Sequence, residues 1–281
     1  MGHYPWLMHS DGTPIGTDTT RREGAFPFEK IVGDPHAGLI LLCDHASNQI
    51  PDEYADLGLS RENLCRHIAF DIGAAALTRA LAVRLGVPAL LSCFSRLLID
   101  PNRGEDDPTL IMRLSDGAVI KGNARLSEEE RSRRIVHYYR PYHEAISDAV
   151  DLCLASGRGP MILSIHSFTP IWKGWPRPWH AGVLWDEDPR LALALIEALA
   201  EDKALVVGDN EPYSGGLPND TLHRHGEGRG LASAVLEIRQ DLIGDEAGIA
   251  DWTGRLAHIL TKLIARTAVG GVEYYSSKAD R

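Results

Sequence analysis

The chain has 281 residues, with 29 Lys and Arg against 39 Asp and Glu, a formal charge of −10 and 44% apolar residues. That apolar content supports a packed core and excludes a disordered chain, while the acidic balance without clustered cations excludes a nucleic-acid or anionic-membrane surface. No apolar run reaches the roughly 18 residues of a membrane span, residues 1–6 lack the basic start of a leader, and Cys43, Cys65, Cys93 and Cys153 form no C-x-x-C pair, so a cytoplasmic protein with reduced thiols is expected.

Residues 1–36 mix Gly, Pro, Thr and charges and read as an irregular N-terminal arm. Residues 37–270 read as one α/β domain without repeat or linker, and 271–281 as a C-terminal tail. Gly38 to Cys43 is almost wholly apolar, the mark of a parallel strand covered on both faces. Ser60 to Leu85, long and rich in Ala and Leu, predicts a helix that Gly86-Val87-Pro88 ends. Ala89 to Phe94 is a second strand, followed by a polar loop from Arg96 to Arg125. Ser127 with Glu130 forms a capping box opening a helix to Ala155, which Pro141 bends. Arg125, Arg131, Arg133, Arg134 and Arg140 alternate with Glu128 to Glu130 and read as a solvated face. Met161 to Ile165, Gly182 to Trp185, Ala204 to Val207 and Ala232 to Ile238 are further strands; Pro189 to Ala200 and Glu246 to Ala265 are further helices. This alternation predicts a mostly parallel, mixed sheet sandwiched by helices.

In such sheets ligands bind beyond the carboxyl ends of the strands. The first strand runs into Asp44-His45-Ala46-Ser47-Asn48, the second into Ser95-Arg96, the third into His166-Ser167 and a late one into Glu237-Ile238-Arg239. Two histidines, a carboxylate and arginines at one edge suit a metal and anion site. His45 and His166 supply two ligands. Leu64, Ile68, Asp71 and Ala75 fall at helical spacing, which places Asp71 on an apolar helix face as a candidate third ligand. His137 and His143 lie too far round their helix to act together, and His223-Arg224-His225 reads as an exposed, Gly-flanked loop. Gly226-Glu227-Gly228-Arg229-Gly230 precedes a strand and so does not fit a dinucleotide fingerprint, and no P-loop, G-x-S-x-G or H-E-x-x-H occurs.

Asp44 to Asn48 with Ile50-Pro51, Asp71-Ile72-Gly73, Arg96 with Ile99 to Arg103, Ser164 to Ser167, Asn210 to Gly215 and Glu237 to Arg239 together resemble the N-formylglutamate amidohydrolase family over roughly residues 38–265. The resemblance implies the three-layer α/β architecture of zinc-dependent exopeptidases, with His45, Asp71 and His166 as ligands of a divalent metal, Zn²⁺ by preference, and Glu237 as general base. Arg96, Asn102, Arg103, Tyr213, Arg239 and Asn48 become the candidates for binding a small anionic substrate, since guanidinium forks suit carboxylates. Asn48 stands where zinc carboxypeptidases carry a ligand Glu, and Asp44-His45-Ala46-Ser47 departs from the Pro-His-Ser-Gly form of the deformylases of histidine degradation. The implied reaction is hydrolysis of an N-acyl acidic amino acid, N-formyl-L-glutamate to formate and L-glutamate. A peptidoglycan amidase of the same fold and a metal-free binding protein are the rival readings, and a homo-oligomer is left open.

Overall fold

The computed structural model describes residues 26–266 and 269–280; the first 25 residues of the expected arm lie outside them. Seven strands form the central sheet: β1 (Phe28–Ile31), β2 (Leu39–Cys43), β3 (Ala89–Ser92), β4 (Met161–Phe168), β5 (Ala181–Leu184), β6 (Val207–Asp209) and β7 (Ser233–Arg239). Their spatial order is β1-β3-β2-β4-β7-β5-β6. The central strands β3, β2, β4 and β7 run parallel, whereas β1 is antiparallel to β3 and β5 is antiparallel to β7. The sheet is therefore mixed and mostly parallel, as the alternation predicted. The irregular arm expected through residue 36 instead contributes the edge strand β1.

Period-two alternation divides the apolar strand residues between two faces. Leu39 and Leu41 of β2, Leu163 and Ile165 of β4 and Leu236 of β7 pack under α1 (Ala74–Leu85), α4 (Pro189–Ala200) and α5 (Glu246–Ile264). Ile40, Leu42, Ile162 and Val235 face α3 (Arg140–Ala155) on the other side. The short helix α2 (Glu128–Arg134) precedes α3, its N-cap Ser127 accepting from the Glu130 N–H as the capping box required. Between α2 and α3 the chain winds without a break through a wide π turn over Ile135–Tyr139, just before Pro141 near the start of α3, where the pyrrolidine ring removes one helical N–H.

The predicted helix from Ser60 to Leu85 is a single turn, Arg61–Leu64, followed by irregular chain up to α1. Tertiary pairing overrides the helix-favouring composition here. The Asp71 N–H donates to the His45 carbonyl at 2.9 Å, and Gly73 takes φ 83°, a left-handed conformation at a point where a Cβ would lie 2.2 Å from the Ile243 carbonyl oxygen. Asp71 thus reaches the sheet edge from a loop and not from a helix face.

Candidate metal centre and cleft

Parallel packing of β2, β4 and β7 carries their carboxyl ends to one edge. His166 of β4 and Glu237 of β7 are register partners, and His45 lies two residues past β2. The His45 and His166 rings meet at 4.8 Å with planes 88° apart. His166 Nδ1 lies 2.8 Å and His45 Nδ1 3.5 Å from the same Asp71 oxygen, Oδ2. One ligating atom from each of the three lies within 4.8 Å of the others, and all three side chains are buried.

The opposite ring nitrogens are held by carboxylates. His45 Nε2 is 2.7 Å from Asp100 Oδ1, and His166 Nε2 is 3.1 Å from Asp44 Oδ2. A carboxylate beside Nε2 holds a proton there and leaves Nδ1, aimed at Asp71, as the nitrogen free to ligate a cation that displaces its proton. Two imidazole nitrogens and one carboxylate oxygen are a donor set that Zn²⁺ accepts with a coordination position left open. The residues therefore fit a divalent cation.

Electrostatics at this edge follow from burial and pairing. Burial raises the Asp71 and Asp44 carboxyls, but the histidines outweigh it and hold both well below the usual carboxylate range. Burial disfavours the charged His166 ring, yet Asp44 and Asp71 hold its pKa well above that of a free imidazole. Glu237 goes the other way. Burial pushes it up, His166 pulls it down, and Asp71 adds repulsion, leaving it at about 7. Its Oε2 is buried without a hydrogen-bond partner in the structure.

The other predicted residues divide. Arg96, Asn102, Arg103 and Tyr213 line the cleft with His45, Asp71, His166 and Glu237. Arg96 pairs with Asp100 at 2.7 Å and stands 3.3 Å from His45 Nδ1. Asn102 accepts the Thr221 N–H, and Arg103 donates to the Asn102 carbonyl. Arg239 and Asn48 do not border the cleft. Arg239 is captured by Asp241 at 2.8 Å and by the carbonyls of Arg177 and Trp179, and the Asn48 amide donates to the Leu64 carbonyl. The expected exposed loop at His223 to His225 also needs correction: Thr221–His225 is a short helix and His225 is buried, its Nε2 2.9 Å from Nδ1 of His143.

The sequence offers Asp100 as an ion-pair partner for an arginine, as it is for Arg96, but sequence reasoning missed Asp44 and Asp100 as the carboxylates behind the two histidines. Asp44 is fully buried and accepts from Tyr142, Thr221, Ser164 and His166, drawing α3, the Thr221 turn and β4 around one carboxylate. Its only sequence signal is its place beside His45 at the end of an apolar strand.

Comparison with known proteins bears on this geometry. The profile of the N-formylglutamate amidohydrolases matches residues 37–244. The chain belongs to the N-formylglutamate amidohydrolase family. Like the family, it is a hydrolase acting on amide bonds. Among solved structures, the Atu2144 gene product of Agrobacterium tumefaciens is 35% identical, with a TM-score of 0.80 over 86% of this chain and 96% of that one. The N-formylglutamate amidohydrolase of Ralstonia eutropha JMP134 is 26% identical, with a TM-score of 0.66 over 85% of this chain and 97% of that one. No protein with a curated description matches the chain. Among the described residues, no helix is long and apolar enough to cross a membrane.

Proposed function

We propose that this member of the family is a metal-dependent amidohydrolase of N-acyl acidic amino acids, with N-formyl-L-glutamate, cleaved to formate and L-glutamate, as its substrate. One observation carries the reading: Nδ1 of both His45 and His166 is turned to Asp71 by carboxylates behind the rings, while the unpartnered Glu237 stands in register with His166. The similarity to the Ralstonia enzyme supports the substrate class.

In this reading His45, Asp71 and His166 would hold the cation, which would supply Lewis acidity at the scissile amide. Glu237 takes the proton from that water and returns it to the departing nitrogen. A buried carboxylate near 7 suits both transfers at neutral pH. Arg96, fixed by Asp100, presents its guanidinium beside His45, where it steadies negative charge developing on the reacting carbonyl. Arg103 and Asn102, at the same wall of the cleft, orient the substrate's α-carboxylate.

The test is formate release from N-formyl-L-glutamate by purified protein, set beside the N-acetyl and N-succinyl analogues, with elemental analysis of the same preparation. Formate release with about one equivalent of zinc, manganese or iron is expected. Turnover of none of these substrates after metal reconstitution would overturn the proposal.

A further inference from the structure

The cleft does not by itself balance a doubly anionic substrate. Asp71, Asp116, Asp220 and Glu237 line it against the guanidinium groups of Arg96 and Arg103. Arg96 is paired with Asp100, and Arg103 already donates to the Asn102 carbonyl and has Asp107 at 4.0 Å. The third arginine that the sequence suggested, Arg239, is bound to Asp241 away from the cleft.

Arg177 is placed differently. It follows the small hairpin that pairs Ile171–Trp172 with Trp175–Pro176, and its guanidinium lies 5.6 Å from the ring centroid of Phe168, 5.3 Å from that of Trp172 and 5.1 Å from that of Tyr213. Only 9% of Arg177 is exposed, and among the described residues no carboxylate lies within ion-pair distance of it. Aromatic faces stabilise such a cation only in part, so a buried guanidinium without an anion retains a strong demand for one. All three rings border the cleft. Arg177 Nη1 donates to the Tyr213 hydroxyl at 3.0 Å. Since the phenol oxygen accepts there, its own O–H is left to donate, and Tyr213 is 45% exposed. A phenol keeps that proton at neutral pH.

We infer that Arg177, acting through the Tyr213 hydroxyl, is the positioning residue that selects substrates carrying a second carboxylate remote from the scissile amide. The hydrogen bond runs from Arg177 to Tyr213 and from Tyr213 to that carboxylate, and the caged cation supplies positive charge beyond that of Arg96 and Arg103, which the reacting carbonyl and the α-carboxylate engage. The inference rests on the reading of the cleft as an N-acyl amino acid site.

Calorimetric binding of L-glutamate and of its neutral isostere L-glutamine to the purified full-length protein provides the test, joined to steady-state kinetics on the N-formyl derivatives of both. The wild type is expected to prefer glutamate. Arg177→Gln should weaken glutamate binding and raise KM for N-formyl-L-glutamate by tenfold or more, with kcat within about twofold and glutamine binding unchanged. Tyr213→Phe, which keeps the ring and removes the hydroxyl, should lose the same preference. Equal loss for both ligands in Arg177→Gln, or an intact glutamate preference in either variant or its absence in the wild type, would overturn the inference. Failure of the hydrolase reading would show separately, as absent turnover by the wild type on every N-acyl amino acid, and the binding arm would still decide the role of Arg177.

Discussion

Replacing Asp44 by Asn probes the role of the carboxylate charge behind His166 directly. The carboxylate accepts four hydrogen bonds, at 3.0 Å from Tyr142, 2.8 Å from Thr221, 2.7 Å from Ser164 and 3.1 Å from His166 Nε2. Ser164 and His166 share one carboxylate oxygen and the Tyr142 and Thr221 hydroxyls the other, so an Asn turns its carbonyl oxygen to His166 and its N–H₂ to hydroxyls that rotate to accept. What the substitution removes is the negative charge behind the His166 ring. Losing one charge-assisted bond in a fully buried setting costs about 1.5–3 kcal/mol. Removal of a carboxylate behind a ligating histidine weakens metal binding roughly 10- to 100-fold, which is about 1.4–2.7 kcal/mol. Asp44→Asn should therefore melt at lower temperature than the wild type without metal and should also yield zinc to a chromophoric chelator at a 10- to 100-fold lower chelator concentration. A variant with zinc affinity within twofold of wild type and an unchanged melting temperature would refute the reasoning.

Glu237→Gln should retain the wild-type metal content and lose about 10²- to 10⁴-fold in kcat, read by elemental analysis beside formate release. Asp71→Asn should lose metal and activity together, because Asp71 Oδ2 is the atom on which both Nδ1 nitrogens converge. Prolonged dialysis against a chelator should abolish turnover, and one equivalent of zinc should restore it; activity that survives complete removal would disprove metal dependence. Stability should also fall in mild acid. Burial, aided by Arg224, lowers His143 to about 4, below the roughly 6.5 of an unfolded histidine. Above pH 6.5 the imidazole is neutral in both states, and as pH falls from there toward 4 the unfolded chain gains a proton that the folded one refuses, at a cost of about 3 kcal/mol. Urea denaturation between pH 7 and 4.5 should show this loss flattened in His143→Gln, and parallel slopes would count against it.

What was legible in the sequence is what periodicity and strand ends encode. Leu39 to Cys43 is an unbroken apolar run, and Met161 to Ile165 one broken by Ser164 alone, because both faces are covered, and the polar residues after them mark the edge where His45 and His166 meet. The Ala/Leu content around Leu64 to Ala75 misleads because local propensity there loses to a backbone bond between Asp71 and His45 and to the left-handed turn at Gly73. The pairings of Asp44, Asp100 and Arg177 stayed hidden since each works through a side chain 36 to 177 positions away: Asp44 through Thr221, Asp100 through His45, Arg177 through Tyr213. Arg239 shares a strand with Glu237, yet Asp241 two residues on takes its charge. Flanking glycines made His225 look exposed, whereas it stacks on His143 with centroids 5.2 Å apart, a contact between segments that no local pattern records.

The four-residue strand β1 has a colloidal consequence. A parallel sheet ends in a row of unpaired amides and carbonyls that invites another chain to add itself, and natural proteins blunt such edges with short, charged strands. Phe28 to Ile31 closes the β3 edge in this way and puts Glu29 and Lys30 on the outermost strand. Glu29 is clamped by Arg79 of α1, whose Nε and Nη2 lie 2.6–3.0 Å from its carboxylate, so the guard strand is tied to the helix layer as well as to the sheet. At the far side, β6 is only three residues long and ends in Asp209. Among the described residues both borders of the sheet are thus poor templates for self-association, and the protection on one of them resides in a segment that composition alone reads as an irregular arm.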